Sequence, residues 1–178
     1  AALAAVAVGL TLGVSLAEAL SALAAAQPLP GRLNPLPGIH KTVILDDSFS
    51  ASLATTLAAL DTLALFKSGR RCAVLGDLSE LGSMEEEACR RVGEQAAQVA
   101  DLLVTQGDGS QRIAQHALAH GLSASQVVMT YTAEDTLRGL AGQLRPGDTV
   151  LVKGPVESRM EKVVAGLLAE PEQAAELL

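Results

Sequence analysis

Two carboxylates, Asp46 and Asp47, directly follow the apolar segment 42–45, and serine hydroxyls follow at Ser50 and Ser52. Four apolar or β-branched residues in a row are typical of a strand covered on both faces, so the carboxylates are expected at its carboxyl end. Open α/β sheets bind ligands at that edge. The pattern is compatible with a site for a polar ligand. An Asp pair after a strand serves more commonly as turn and capping residues, however, and this segment alone favours that structural role.

Two further strand ends carry polar residues. In the segment 74–82, glycines bracket a loop that offers Asp77 and Glu80, and the apolar segment 150–152 ends in Lys153. A lysine at such an edge can direct its ammonium group toward a carboxylate or a phosphate. Taken alone, the loop 74–82 is explained more simply as a tight turn with solvated acids, and Lys153 as a surface lysine at a strand end. Three polar strand ends in one fold together indicate a functional site more specifically than any one of them does.

Several motifs that carry chemistry are absent from the sequence. It contains no GxxxxGK[ST] loop, and its closest approach to GxGxxG is the segment 107–112, which lacks the last glycine and places an acid at Asp108. This domain alone is therefore not expected to hold a triphosphate. His116 and His120 lack the glutamate of an HExxH motif and are interpreted as exposed helix residues.

Composition disfavours several classes of partner. The sequence has 13 basic and 20 acidic residues, a net charge of -7 and no basic run, so neither nucleic acid nor an anionic membrane surface is expected as the main partner. Cys72 and Cys89 are too far apart for a CxxC motif, which favours a reduced, cytoplasmic protein.

The apolar segment 1–26 lacks a basic n-region and is diluted by Gly13 and Glu18. It is interpreted as two short helices of a longer protein and not as a targeting or spanning segment.

From residue 41 onward, strand patterns alternate with helix patterns. The predicted strands are 41–46, 71–76, 101–105, 126–130 and 148–153. The predicted helices are 53–66, 84–98, 109–120, 132–143 and 158–168. These units predict an α/β fold with a Rossmann-like, doubly wound, mostly parallel sheet, preceded by two short helices. The segment 27–38 holds four prolines and two glycines, too many for a regular element, and is predicted to be a hinge linker.

Five segments of the chain occur in the order found in a known family. They are Pro30-Gly-Arg-Leu33, Leu45-Asp-Asp-Ser-Phe-Ser-Ala-Ser52, Ala73-Val-Leu-Gly-Asp-Leu-Ser-Glu-Leu-Gly82, Pro146-Gly-Asp148 and Val152-Lys-Gly154 with Met160-Glu161. With these segments the chain resembles the C-terminal domain of the Mur ligases, and residues 75–82 are the most specific part. The resemblance implies that residues 1–26 end a central ATPase domain, that 27–38 form the hinge, and that 39–178 form the C-terminal domain.

The resemblance also implies an activity. Mur ligases are ATP-dependent amide ligases that form an acyl phosphate on a substrate carboxylate, which the incoming amine attacks. Within the family, the chain most resembles the members that add D-alanyl-D-alanine to UDP-N-acetylmuramoyl-tripeptide in cytoplasmic peptidoglycan precursor synthesis. ATP and Mg²⁺ would be held mainly by the central domain, so this chain alone is expected to be inactive. The implied partners are that domain and an N-terminal UDP-substrate domain of the same chain, in a monomer that neither binds nucleic acid nor inserts into a membrane.

By the same resemblance, two groups of residues are expected to contact ligands. The ribose and base of the nucleotide would lie at Arg32, Asp47, Phe49 and Ser50. The incoming amine substrate would lie at Lys153, Gly154, Pro155 and Val156. Asp77 and Glu80 are candidate supporting acids, and no metal ligand is expected in this chain.

The chain departs from the family pattern at several of these positions. The family usually has Tyr-Asn-Ala-Asn-Pro at 49–53 and Lys-Gly-Ser-Arg at 153–156, where this chain has Phe-Ser-Ala-Ser-Leu and Lys-Gly-Pro-Val. Arg159 can supply the missing guanidinium, although its spacing favours the surface of the following helix, and Cys89 stands where a histidine is usual. A ligase with a different amine acceptor and a non-catalytic nucleotide-sensing module are therefore alternatives. A dinucleotide-binding oxidoreductase is disfavoured because no strand leads into GxGxxG.

Overall fold

Each segment predicted from residue 41 onward forms the expected helix or strand in the computed structural model, which describes residues 2–26, 28–79 and 81–177. The strands are β1 Asn34–Gly38, β2 Thr42–Asp47, β3 Arg71–Gly76, β4 Leu102–Gln106, β5 Val127–Thr130 and β6 Thr149–Lys153. The helices are α1 Ala2–Thr11, α2 Leu16–Ala25, α3 Leu53–Leu63, α4 Glu85–Val99, α5 Gln111–Ala119, α6 Ala133–Leu140 and α7 Glu161–Leu167. Short 3₁₀ turns occupy Ile39–Lys41, Gly82–Met84, Ala124–Gln126, Val156–Ser158 and Pro171–Glu176.

The six strands form one sheet in the order β1-β2-β6-β3-β4-β5. Strands β2 to β6 are parallel, and β1 pairs antiparallel with β2. The last strand of the sequence, β6, therefore lies between β2 and β3. The prediction of a mostly parallel, doubly wound sheet is confirmed.

The prediction that the segment 27–38 contains no regular element is wrong for its last part, because Asn34–Gly38 forms the edge strand β1. Proline fits an edge strand when its nitrogen faces away from the neighbouring strand. The Pro37 carbonyl accepts a hydrogen bond from the Ala169 N–H (3.0 Å), so Pro37 directs its backbone polar groups away from β2. The irregular connection is correspondingly shorter than expected.

Side chains of the buried strands point alternately to two apolar layers. One layer, which includes Leu45 and Leu151, is covered by α3, α4 and α5. The other layer, which includes Ile44 and Val152, is covered by α6 and α7. This division sends the connections after β2 and β3 to one face of the sheet and the connection after β6 to the other.

Capping side chains define the starts of two helices. The Ser52 hydroxyl accepts the Thr55 N–H (3.3 Å) at the start of α3, and the Thr132 hydroxyl accepts the Asp135 N–H (3.1 Å) at the start of α6. The N-terminal pair is less buried, since α1 has no buried residue and α2 has only Ala19. Among the described residues, the helices are too short or too polar to cross a membrane.

Candidate functional site

The carboxyl ends of β2, β6 and β3 form a crevice at the centre of the sheet. Because β6 lies between β2 and β3, neighbouring loops at this edge turn toward opposite faces. Such a switch in direction opens the space in which doubly wound sheets bind ligands. All three polar strand ends that the sequence predicts, after residues 46, 76 and 153, lie at this edge.

Asp46 has the structural role that the sequence favours. Its side chain is buried, and one carboxylate oxygen accepts both the N–H (3.2 Å) and the hydroxyl (2.6 Å) of Ser48. The other oxygen accepts the Gly31 N–H at 2.9 Å. Asp46 therefore closes the turn after β2 and ties it to the segment that precedes β1.

Asp47 and Lys153 are brought together by the register of the sheet. They are the last residues of β2 and β6 and are direct partners across these parallel strands. Lys153 Nζ lies 2.6 Å from Asp47 Oδ2 and donates to the Ser50 carbonyl at 2.8 Å. The lysine side chain is 1% exposed and that of Asp47 is 17% exposed. The second oxygen of Asp47 accepts the Leu33 N–H at 3.1 Å.

Arg32 and Phe49 form an exposed stack next to this ion pair. The Arg32 guanidinium carbon lies 4.0 Å from the centre of the Phe49 ring, within range of a cation–π contact. Arg32 lines a cleft of about 270 Å³, here called the β2 cleft, together with Asp47, Ser50 and Lys153, and α3 closes it. Phe49 adjoins this cleft through Arg32 and itself lines the neighbouring groove described next. All four residues expected at the nucleotide therefore lie together at the end of β2.

A second space, the central groove, separates the β2 loop from the β6 loop and measures about 700 Å³. Ser50, Pro155 and Val156 line it, with the proline buried and the valine exposed. The Ser79 N–H donates to the Ala51 carbonyl at 2.8 Å, which joins the β3 loop to the β2 loop. Gly154 lies behind this groove against Gly76, where an added Cβ on Gly76 would approach the Gly154 Cα to 3.1 Å. The two strand ends can meet this closely because neither residue has a side chain.

The third space, here called the β4 cleft, lies beyond β6 and measures about 480 Å³. Its lining contains both signs of charge, carried by Asp108, Glu134, Glu157, Arg159 and Lys162. The interpretation of Arg159 as a residue of the helix surface is wrong, because α7 begins only at Glu161. Arg159 has a left-handed backbone (φ 53°) in the preceding turn, and its guanidinium contacts the Glu161 carboxylate at 2.5 Å.

Asp77 lies at the border of the β4 cleft but has a specific backbone partner. Its carboxylate accepts the Ser110 N–H (2.7 Å) just before α5. Gly107 makes room for this contact, since its φ is +114° and an added Cβ would lie 2.5 Å from an Asp77 oxygen. Asp77 therefore has a capping role before α5 while it stays partly exposed at the β4 cleft. Glu80, the other candidate acid, lies outside the described residues.

Among the remaining side chains that the sequence singles out, one differs from its interpretation. His116 is half-buried rather than exposed and lies 2.9 Å from the Glu86 carboxylate, whereas His120 is exposed as expected. Cys89 is buried, and burial raises the pKa of its thiol. In the described ranges, no group of three or more His, Cys, Asp or Glu side chains is arranged to hold a metal ion.

Sequence reasoning missed one buried polar residue that helps to shape the site. Gln106, the last residue of β4, donates to the Ser158 carbonyl (2.7 Å) and accepts the Thr136 hydroxyl (2.9 Å). It therefore holds the β6 loop against the β4 cleft. The sequence did contain a signal for this role, because Gln106 is a polar residue that ends an apolar strand and precedes a glycine.

Comparison with known proteins identifies the family. Residues 31–156 match the family described as "Mur ligase, glutamate ligase domain". The chain therefore belongs to the Mur ligase family. It is 35% identical over 167 residues to the UDP-N-acetylmuramoyl-tripeptide–D-alanyl-D-alanine ligase of Escherichia coli (strain K12), a match that covers 93% of this chain and 36% of the relative. The corresponding ligase of Bacillus subtilis (strain 168) is 28% identical over 172 residues, with 96% and 37% covered.

Two solved structures support the same relationship. Crystal structure II of MurF from Acinetobacter baumannii superposes with a TM-score of 0.77 at 27% identity, covering 92% of this chain and 36% of that one. The MurF ligase from Thermotoga maritima in complex with ADP superposes with a TM-score of 0.72 at 26% identity, covering 89% and 35%. The chain thus spans about a third of the length of the relatives that it matches.

Proposed function

We propose that this chain is the C-terminal domain of an ATP-dependent amide ligase that adds D-alanyl-D-alanine to UDP-N-acetylmuramoyl-tripeptide. The observation that carries the proposal is the 35% identity, over 93% of the chain, to an E. coli ligase named for this reaction. In this proposal, residues 1–26 belong to the end of a preceding ATPase domain, and an N-terminal domain of the same protein holds the UDP-substrate. The protein acts as a monomer in the cytoplasm.

The β2 cleft is the proposed position of the nucleotide's base and ribose. An exposed aromatic ring at Phe49 offers a stacking surface for a purine, with the Arg32 guanidinium on the ring. Asp47 is partly exposed at the same cleft, and a carboxylate accepts hydrogen bonds from ribose hydroxyls. The ADP bound to the related Thermotoga maritima ligase supports a nucleotide as the ligand class. Phosphate binding and Mg²⁺ are assigned to the preceding domain, because this sequence contains no GxxxxGK[ST] loop.

The β4 cleft and the central groove are the proposed positions of the incoming amine. A dipeptide is a zwitterion, and this cleft presents cations at Arg159 and Lys162 and carboxylates at Asp108 and Glu134. Arg159 is 62% exposed, so it is accessible to a ligand carboxylate and can replace the guanidinium that the segment 153–156 lacks. Pro155 lines both spaces and Val156 lines the central groove, so both residues are placed to contact the amine.

The proposed reaction has two steps. The carboxylate of the muramoyl-tripeptide takes the γ-phosphoryl group of ATP, which forms an acyl phosphate and ADP. The dipeptide amine then attacks the acyl carbon, inorganic phosphate leaves, and the amine loses a proton as the amide bond forms. This domain contributes by holding the nucleotide and the amine against the preceding domain, and closure of the two domains excludes water from the acyl phosphate.

The proposal is tested by phosphate release from the full-length protein. UDP-muramoyl-tripeptide and ATP are supplied with D-alanyl-D-alanine, and the pentapeptide product is identified by mass spectrometry. Release that requires the dipeptide and yields the pentapeptide is the expected result. Absence of release with every acceptor tried would contradict the proposal.

A ligase for a different acceptor is the second candidate. The apolar Val156 is 46% exposed at the groove, where an arginine is usual in the family, and this change favours a less polar acceptor. D-alanyl-D-lactate, D-alanyl-D-serine and single amino acids in the same assay distinguish the two candidates. Product with one of these, and none with D-alanyl-D-alanine, would favour the second.

A further inference from the structure

We propose that Lys153 is a positioning residue that acts through Asp47 on nucleotide binding and does not contact the incoming amine. This inference rests on the proposed function, and it differs from the expectation that the family resemblance implies for this lysine. It is carried by the burial of the side chain and by the identity of its two acceptors.

The surroundings of Lys153 leave its ammonium group little access to a ligand. The side chain is 1% exposed and lies on the face of the sheet that α3 covers, with Leu151 two residues before it in the same layer. A buried ammonium group requires a paired charge and hydrogen-bond acceptors. Asp47 Oδ2 at 2.6 Å and the Ser50 carbonyl at 2.8 Å meet this requirement within the chain.

These two acceptors connect Lys153 to every part of the proposed nucleotide site. The Ser50 carbonyl belongs to the loop that carries Phe49, so the ammonium group fixes the position of that loop. Asp47 receives Lys153 on one oxygen and the Leu33 N–H (3.1 Å) on the other, which fixes the carboxylate plane. Leu33 directly follows Arg32, the partner of the Phe49 ring. One buried cation thus holds three segments in register around the β2 cleft.

The location of the clefts supports the same assignment. Lys153 lines the β2 cleft together with Arg32, Asp47 and Ser50. The described linings of the β4 cleft and of the central groove instead include Pro155, two residues beyond the lysine, and do not include Lys153 itself. The amine substrate is therefore expected to contact the loop after β6 and not the ammonium group that ends the strand.

The test is a KM comparison in the full-length enzyme with Lys153→Met, which keeps the length of the stem and removes the donors. We expect the KM for ATP to rise about tenfold or more, the effect of losing one hydrogen bond between charged groups, with the KM for the dipeptide changed less than about twofold. Lys67→Met is the matched control, since that lysine is exposed and donates to the nearby Ala64 carbonyl, away from the β2 cleft residues Asp47 and Ser50. A higher KM for the dipeptide with an unchanged KM for ATP would overturn the proposal, as would no change in either.

A double-mutant comparison separates action through Asp47 from a direct contact with the nucleotide. If Lys153 works by orienting Asp47, the effects of Lys153→Met and Asp47→Asn on the KM for ATP are not additive. Additive effects would show that the lysine acts independently of Asp47 and would overturn the proposal. If Lys153→Met does not fold, Lys153→Gln keeps a neutral donor and is compared in the same way.

Hydrogen exchange of the full-length protein makes the test independent of the reaction. Faster exchange in Lys153→Met is expected in peptides that cover residues 31–33 and 47–52, with no change in Lys67→Met. Unchanged exchange there would overturn the positioning role even if the enzyme is active. A wild-type protein that releases no phosphate with any acceptor would instead contradict the proposed function, and the exchange comparison would still decide the role of Lys153.

Discussion

The two ends of the central strands each carry an aspartate paired with a cation, but opposite partners are buried. At the carboxyl ends, the cation Lys153 is buried and Asp47 is partly exposed. At the amino ends, Asp148 is buried, with a side chain 2% exposed, and its partner Arg70 is 23% exposed. The buried member of each pair depends on its partner, while the exposed member can still meet water or a ligand.

The carboxylates of Asp148 and Asp47 also differ in how fully the protein's own donors surround them. Asp148 accepts the Arg70 side chain at 2.7 Å and the backbone N–H groups of Arg70 (3.3 Å) and Arg145 (2.8 Å). Asp47 has two described donors and lines a cleft. A carboxylate enclosed by its own fold stabilises the protein, whereas one that is oriented but accessible is suited to binding. The Arg70–Asp148 pair therefore has a structural role, and the Asp47–Lys153 pair is the one whose exposure suits the proposed binding role.

Removing the carboxylate that pairs with the buried Lys153 is expected to have the largest effect on stability. Asp47→Ala leaves the Lys153 ammonium group buried without a charged partner, and an orphaned buried charge costs about 3–5 kcal/mol. The free energy of unfolding in urea, measured at neutral pH, checks this value. A loss below about 1 kcal/mol would mean that the lysine finds water or another acceptor, and would weaken the contrast between the two ends.

Removing the arginine from the buried aspartate is expected to cost less. In Arg70→Met, Asp148 keeps two backbone donors, so we expect a loss of about 2 kcal/mol, as for a hydrogen bond to a charged group. Urea unfolding measures it, and the KM for ATP should be unchanged because this pair is at the opposite edge of the sheet. A changed KM would contradict the assignment of a purely structural role.

The acid dependence of stability provides a second measurement on the same variant. Burial by itself would raise the pKa of Asp148, but hydrogen bonds from Arg70 and from the Arg145 N–H outweigh it and hold the pKa below the usual value. Its stabilisation is therefore complete above the unfolded-state pKa of about 3.9 and is lost as the pH falls through the lower folded-state pKa. Arg70→Met should lose less stability than the wild type as the pH falls from about 5 to below that folded-state pKa.

Lys153→Met is expected to destabilise the protein less than Asp47→Ala does. It leaves a carboxylate that is already 17% exposed and still bonded to Leu33, so about 1 kcal/mol is expected. Thermal unfolding measured beside Asp47→Ala checks the order of the two. The reverse order would show that the carboxylate, and not the ammonium group, is the member that depends on the pair.

The exposed pair of Arg71 and Asp101 is expected to contribute least to the free energy of unfolding. Their side chains are 28% and 40% exposed at a distance of 3.3 Å, and such surface pairs contribute about 0–1 kcal/mol. Asp101→Asn should therefore change the urea midpoint little. A loss as large as that of Arg70→Met would show that burial does not determine the ranking.

Periodicity predicted the fold well because the buried strands are short apolar runs that tolerate few alternatives. It missed β1 because prolines usually end regular structure, and only the position of a strand at the sheet edge makes Pro37 acceptable. The site was predicted as three separate strand ends. The pairing of Asp47 with Lys153 depends on β6 lying beside β2, a non-local arrangement that no local pattern encodes. The capping role of Asp77 likewise depends on α5, which begins 34 residues later at Gln111.

The bonds that hold the segment before β1 also determine the length of the tether to α2. Gly31 and Leu33 donate to Asp46 and Asp47, and the Phe49 N–H returns a bond to the Gly31 carbonyl at 3.1 Å. Only residues 26–30 separate the end of α2 from this anchor, and five residues span at most about 18 Å. For the proposed preceding domain, a tether this short would give a high effective concentration over the β2 cleft, on the order of millimolar. Opening and closing of that domain would then be changes of orientation at nearly constant distance, without diffusion through solvent.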